Sequence, residues 1–183
     1  MKKTLFLFIF ILSGCTMPIN SESYHTSRDV ELVNITLSTT AEKIKKAYGL
    51  DPMGSGAAMP GGPIRELTLA FGTREPYTKE KLRDLLIKCA NELVDQVNEN
   101  KEMQQYLIKA PFTIENVQII IYNHDKTGRE VFEPEISTAE ISEGILTYRT
   151  TDPTEPLRFK NRIKETYAEA LQALSSNSNK EKA

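Results

Sequence analysis

Few residues in this chain can do chemistry. Its 183 residues include two histidines, two cysteines and no tryptophan. A nucleophilic hydrolase needs a nucleophile, a base and a group that orients the base. His25 falls in the polar run Ser21-Glu22-Ser23-Tyr24-His25-Thr26-Ser27, where no rigid pocket would place it. His124 stands beside Asp125, which could orient it, but Asn123-His124-Asp125-Lys126-Thr127-Gly128 has the composition of a turn, and neighbouring turn residues point apart. Zinc would find no close pair of histidines or thiols. Glu130, Glu133, Glu135, Glu140 and Glu143 cluster in sequence. Two of them could hold calcium or work as acid and base, although carboxylates at alternating strand positions ordinarily make a wetted face. The spacing is not that of an EF-hand loop. No catalytic residue, metal site or cofactor is expected, and the chain reads as a non-enzyme.

Asp51 to Pro63 gathers four of the nine glycines and three of the nine prolines. A phosphate-cradling loop would lead into a helix with Lys and Ser or Thr. This run ends in Gly61-Gly62-Pro63 and leads into a strand pattern, so residues 51–63 are expected to be a surface loop.

The remaining reactive candidate is Cys15. Lys2 and Lys3 precede Leu5-Phe6-Leu7-Phe8-Ile9-Phe10-Ile11-Leu12, a run without a polar side chain that Ser13-Gly14-Cys15 closes. A bilayer span needs about 20 apolar residues, so this run fits an export leader better than a transmembrane helix. Leu12-Ser13-Gly14-Cys15 resembles the lipobox of bacterial lipoprotein precursors, and the resemblance covers only the leader. It implies a signal peptide over residues 1–14, lipid (palmitate among the acyl chains) on Cys15, and anchorage to a membrane of the cell envelope. One acyl chain binds a membrane only marginally, whereas two or three on one residue anchor it durably. The class's inner-membrane retention signal is Asp after the cysteine. Thr16 stands there instead, which points to the outer membrane in an organism with two membranes.

Composition bounds the rest. There are 23 Lys and Arg against 25 Asp and Glu; loss of Lys2 and Lys3 takes the net charge from −2 to about −4. The lysines interleave with glutamates, so no basic stripe is available and no nucleic-acid partner is expected. With Cys15 lipidated, Cys89 is the sole thiol. Its neighbours Leu85, Leu86 and Leu93 mark it as a buried small hydrophobe.

The element pattern places these residues. Residues 15–29 read as lipidated cysteine and flexible tether. Val30 to Leu37 alternates as a short strand, and Thr40 to Tyr48 predicts a helix ending at Gly49. Leu67, Leu69 and Phe71 alternate with Glu66, Thr68 and Ala70 as a strand with one buried face. Leu82, Leu85, Leu86, Cys89, Ala90, Leu93, Val94 and Val97 form one stripe of a long helix. After Pro111, Val117–Tyr122 predicts a strand whose turn, with Gly128 at positive φ, returns through Val131 and Phe132 as a hairpin. Ile136–Ile141 and Ile145–Thr150 predict a second hairpin about Ser142-Glu143-Gly144. Leu157, Phe159 and Ile163 predict a last strand, and Thr166 with Glu169 has capping-box spacing for a terminal helix. The tail 175–183 is expected to be disordered.

The fold class expected is α+β: a two-layer sandwich in which a mainly antiparallel meander sheet carries the long amphipathic helix on one face, within one domain over 30–174. The function expected is a membrane-anchored lipoprotein that serves as a protein-binding, structural or surface-interaction module, with a protein partner in the envelope. A carrier of small apolar ligands held between helix and sheet is the alternative, and an envelope hydrolase the third reading.

Overall fold

The computed structural model describes residues 26–180. The leader, Cys15 and most of the expected tether lie outside the described residues. Helix α1 (Arg28–Tyr48) leads to strand β1 (Asp51–Ala58), β2 (Glu66–Gly72) and helix α2 (Lys79–Glu99). Strands β3 (Val117–Tyr122), β4 (Thr138–Ser142), β5 (Ile145–Asp152) and β6 (Glu155–Thr166) then precede helix α3 (Tyr167–Lys180). The six strands lie in chain order in one sheet. Only β2 and β3 are parallel, joined by α2 as a crossover; every other pair is antiparallel. Among the described residues no helix is long and apolar enough to cross a membrane.

All three helices pack on one face of the sheet. Leu82, Leu85, Leu86, Cys89, Leu93 and Val97 of α2 meet Leu67, Leu69, Phe71, Ile119, Ile121, Ile141 and Leu146 of the sheet, all at 0–1% exposure. Each such aliphatic side chain contributes about 1.5–3 kcal/mol on leaving water. The α+β sandwich, the meander of β3 to β6 and the capping box all form as expected. Thr166 N–H donates to Glu169 Oε2 at 2.7 Å and Glu169 N–H to Thr166 Oγ1 at 3.2 Å. In the Ser142–Ile145 turn both central residues, Glu143 and Gly144, have positive φ, the requirement of a tight type I′ hairpin.

Four expectations are corrected. Val30 to Leu37 is not a strand but the first half of α1. Leu32, Val33, Thr36, Leu37, Thr40 and Ile44 form its buried stripe, and two threonines on that stripe disguised the helical period. Thr40 is accommodated because its hydroxyl donates to Thr36 O at 2.7 Å. The helix ends at Gly49 as expected, with φ 69° and its N–H bonded to Lys45 O.

The Gly/Pro-rich segment is not a loop throughout. Residues 51–58 form edge strand β1, and the turn follows with Gly61 and Gly62 at positive φ. Pro52 is tolerated because the strand is at the edge and its register shifts by a bulge between Pro52 and Gly54.

Val131 and Phe132 form no strand, and β3 pairs with β4 instead. The connection 123–137 is held by the buried Asn123. Its side-chain amide donates to Tyr77 O and Ile136 O and accepts from Tyr77 N–H and the Thr73 hydroxyl. A side chain thus replaces the ladder the hairpin would have made.

Helix α3 continues to Lys180, where a disordered tail was expected from residue 175. Ser175 and Ser176 are absorbed by donating to Leu171 O and Gln172 O, one helical turn back.

Candidate binding face

His124 and Asp125 do not form a catalytic pair. Asp125 Oδ1 is committed to its own turn, accepting from Thr127 N–H and hydroxyl, both at 2.7 Å, and from Arg129 N–H at 3.0 Å. The Thr127 hydroxyl, then the Arg129 amide, hold its carboxyl below the usual carboxylate range. The His124 backbone is pinned instead to Thr73, whose hydroxyl accepts its N–H at 2.8 Å. Its ring lies against Gly72 and stacks on Tyr122, with centroids 6.4 Å apart.

The five glutamates grouped in sequence do not converge, and two of them are taken up in ion pairs. Glu140 pairs with Arg149, and Glu133 with Lys160 and Asn161. Glu143 occupies a turn beside Glu115 at the opposite end of the sheet. Among the described residues no three His, Cys, Asp or Glu side chains converge as a metal site would need. Cys89 lies in the core, and burial pushes its thiol up to about 12, far from a reactive thiolate.

A network that sequence reasoning missed joins the two layers. Arg83 of α2 donates to both oxygens of Glu165 on β6, at 2.8 and 2.9 Å, and the Tyr148 hydroxyl donates to the same carboxylate at 2.5 Å. Burial alone would raise the Glu165 carboxyl, but the hydrogen bonds from Arg83 and Tyr148 outweigh it and hold the group below its ordinary value. Burial and this bond both push the Tyr148 phenol up. The cluster is largely buried and fastens β6 to α2.

The other face of the sheet carries no helix among the described residues, and its side chains form two distinct halves. One is a polar ladder across four strands. Thr68 on β2 donates to Gln118 Oε1 on β3, Gln118 donates to Glu140 on β4 at 2.9 Å, and Arg149 on β5 donates to Glu140 at 2.5 Å. Arg149 ends the ladder by stacking on Phe159 of β6, 5.4 Å from the ring centre.

The second half is apolar and lies where β3 ends and β6 begins. Tyr122, His124, Pro156, Leu157 and Phe159, with Glu130, line a cleft of about 220 Å³ floored by Ser137, Thr138 and Thr151. Leu157 is fully exposed, Phe159 is 48% exposed and Tyr122 37%. Met53 extends the patch from β1. Its sulfur and His124 Nδ1 both crowd the point above Gly72 where any other residue would carry a Cβ, at 2.8 and 3.3 Å. Period-two alternation put Leu157 and Phe159 on one strand face, but nothing in that pattern told which face would be left uncovered.

In comparisons with family models, with curated proteins and with solved structures, the chain matches none.

Proposed function

We propose that this chain is a lipid-anchored lipoprotein of the cell envelope whose domain binds a protein partner through the uncovered face of its sheet. The observation that carries the reading is the clustering of large exposed apolar side chains, Tyr122, Leu157, Phe159 and Met53, on the face without helices. The other exposed ones, Ile35, Ile108, Ile163 and Leu171, belong to α1, the segment after the turn at 103–106, the helix side of β6 and α3. Clustered apolar side chains on a soluble surface mark interaction sites, whereas scattered ones do not. Their geometry also supports binding, since Tyr122 and Phe159 are stiffened by stacking on His124 and Arg149 and lose little freedom on contact.

The anchor is read from the lipobox-like Leu12-Ser13-Gly14-Cys15, with the outer membrane favoured by Thr16 in an organism that has one. Helix α1 starts near Glu102, to which Arg28 is paired, and runs about 31 Å at 1.5 Å per residue. It ends beside Asp51, whose partner Arg74 adjoins the cleft end of β2. The start of α1 and the apolar cleft therefore lie at opposite poles of the domain.

The carrier reading has less support, because the space between helices and sheet is filled by buried side chains. In-cell crosslinking of the native lipoprotein, followed by mass spectrometry, tests the proposal. One dominant protein adduct that disappears in a Cys15→Ser variant is the expected result; crosslinks only within the chain would overturn it.

A further inference from the structure

We infer that the uncovered face receives an extended, acidic protein segment that carries one large apolar side chain. This rests on the protein-binding reading above and names the partner chemistry for the same face.

The inference starts from the register of β6. Residues directly opposite in an antiparallel pair share a face. Thr147 faces Lys164 and Arg149 faces Arg162, so both β6 cations lie on the face that carries the Glu140–Arg149 ladder. Of the other charges nearby, Arg149 pairs with Glu140, Lys160 with Glu133 and Arg158 with Glu155, and Glu130, without an ion pair among the described residues, stands at the cleft. The side chains of Arg162 and Lys164 make no hydrogen bond or ion pair among the described residues.

The arrangement also sets like charges against each other. Arg162 sits directly opposite Arg149, an unfavourable cross-strand pair. Arg149 Nε is buried without a hydrogen-bond partner among the described residues. Carboxylates arriving over Arg162 would relieve the repulsion and could be held in bidentate fashion, as guanidinium groups hold them. A chain of net charge −2 thus concentrates two unmatched cations on the face that also exposes its apolar cleft.

Spacing then selects the ligand. Leu157 and Phe159 lie at one end of β6 and Arg162 and Lys164 further along it. Phe159 and Lys164 lie opposite Thr151 and Thr147 of β5, four residues apart, so an extended segment covers the distance, about 13 Å at roughly 3.3 Å per residue, in five residues. A segment lying along β6 would seat an apolar side chain in the cleft of about 220 Å³ and set carboxylates at alternate positions over the two cations. A second copy of this chain fits poorly, since a face-to-face pair would set like cations against like. Two cations beside Glu140 are too few for a phosphate backbone.

The test uses the full chain purified in detergent and a fluorescein-labelled peptide, Ser-Phe-Thr-Glu-Thr-Glu-Ser, whose Phe and two Glu share one side when extended, read by fluorescence anisotropy. The expected result is binding that weakens about tenfold when Phe is changed to Ala, is lost when both Glu become Lys, and falls with added salt. Arg162→Glu with Lys164→Glu should also weaken it at least about tenfold. Both positions are exposed, and circular dichroism confirms that the variant keeps the fold.

Equal binding of the Glu and Lys peptides, unaltered binding by the charge-reversed variant, or no binding would overturn the inference. So would phosphatidylglycerol vesicles that sediment the Cys15→Ser chain but not its charge-reversed form, without peptide binding; the face would then be a membrane surface. A photocrosslinker at Phe159 separates this inference from the reading beneath it. Capture of a protein whose crosslinked segment has no acidic residues overturns the inference alone, whereas no capture overturns both.

Discussion

Arg83 and Glu165 lie 82 residues apart, yet meet through two parallel hydrogen bonds that fasten the edge strand β6 to the long helix α2. Both side chains are about nine-tenths buried. Removing one member of such a pair strands the other charge away from water, so Arg83→Met should cost about 3 kcal/mol in urea unfolding. Arg83→Met with Glu165→Leu should recover most of that loss. If the single change costs under about 0.5 kcal/mol, the pair does not hold the strand.

The same pair sets a pH dependence. The folded-state carboxyl of Glu165 is held below its ordinary value of 4.5. A depressed carboxyl contributes stability that is complete above its unfolded value and lost as pH falls through the folded one. Thermal melts should therefore show wild type losing stability below pH 4.5, and Glu165→Gln, less stable at neutrality, losing less over the same interval. Parallel curves for the two proteins would refute the assignment.

Cys89 should be inert in the folded chain. With its thiol pushed up to about 12 by burial, iodoacetamide at pH 8 should label it only after denaturation. Prompt labelling under native conditions would show that the α2 stripe opens.

Gly72 is a third point of leverage. A Cβ there would stand 2.8 Å from the Met53 sulfur and 3.3 Å from His124 Nδ1. Met53 can swing away, so Gly72→Ala should cost under about 1 kcal/mol. The Met53 methyl and His124 ring resonances should both shift. Unchanged spectra would mean that these two side chains do not rest on the glycine.

Cys15 is tested apart from the domain. Wild type should take up radiolabelled palmitate and Cys15→Ser should not. Equal labelling of both would remove the anchor from the account.

The fold was legible where burial writes a period. The α2 stripe from Leu82 to Val97 and the β2 alternation of Leu67, Leu69 and Phe71 were readable because one face of each meets the core. It was illegible where polar residues took core positions or side chains replaced ladders. Thr36 and Thr40 hid α1, and Asn123 made possible a connection that composition presented as a hairpin. Of the candidate site, His124 was noticed for the wrong chemistry. Leu157 and Phe159 were legible only as residues of a last strand, because a local alternation cannot say that α1, α2 and α3 all pack on the other face. Arg83, Glu165 and Arg149 gave no local signal, since their partners are set by register between distant strands.

The most direct test of the central claim is site-resolved crosslinking in cells, with a photoreactive benzoylphenylalanine placed at Tyr122 on the uncovered face or at Lys46 on α1. One discrete protein adduct from Tyr122, absent from Lys46 and from Tyr122 in a Cys15→Ser background, is the predicted result. No adduct from Tyr122, or the same adducts from both positions, would contradict a partner-binding sheet face.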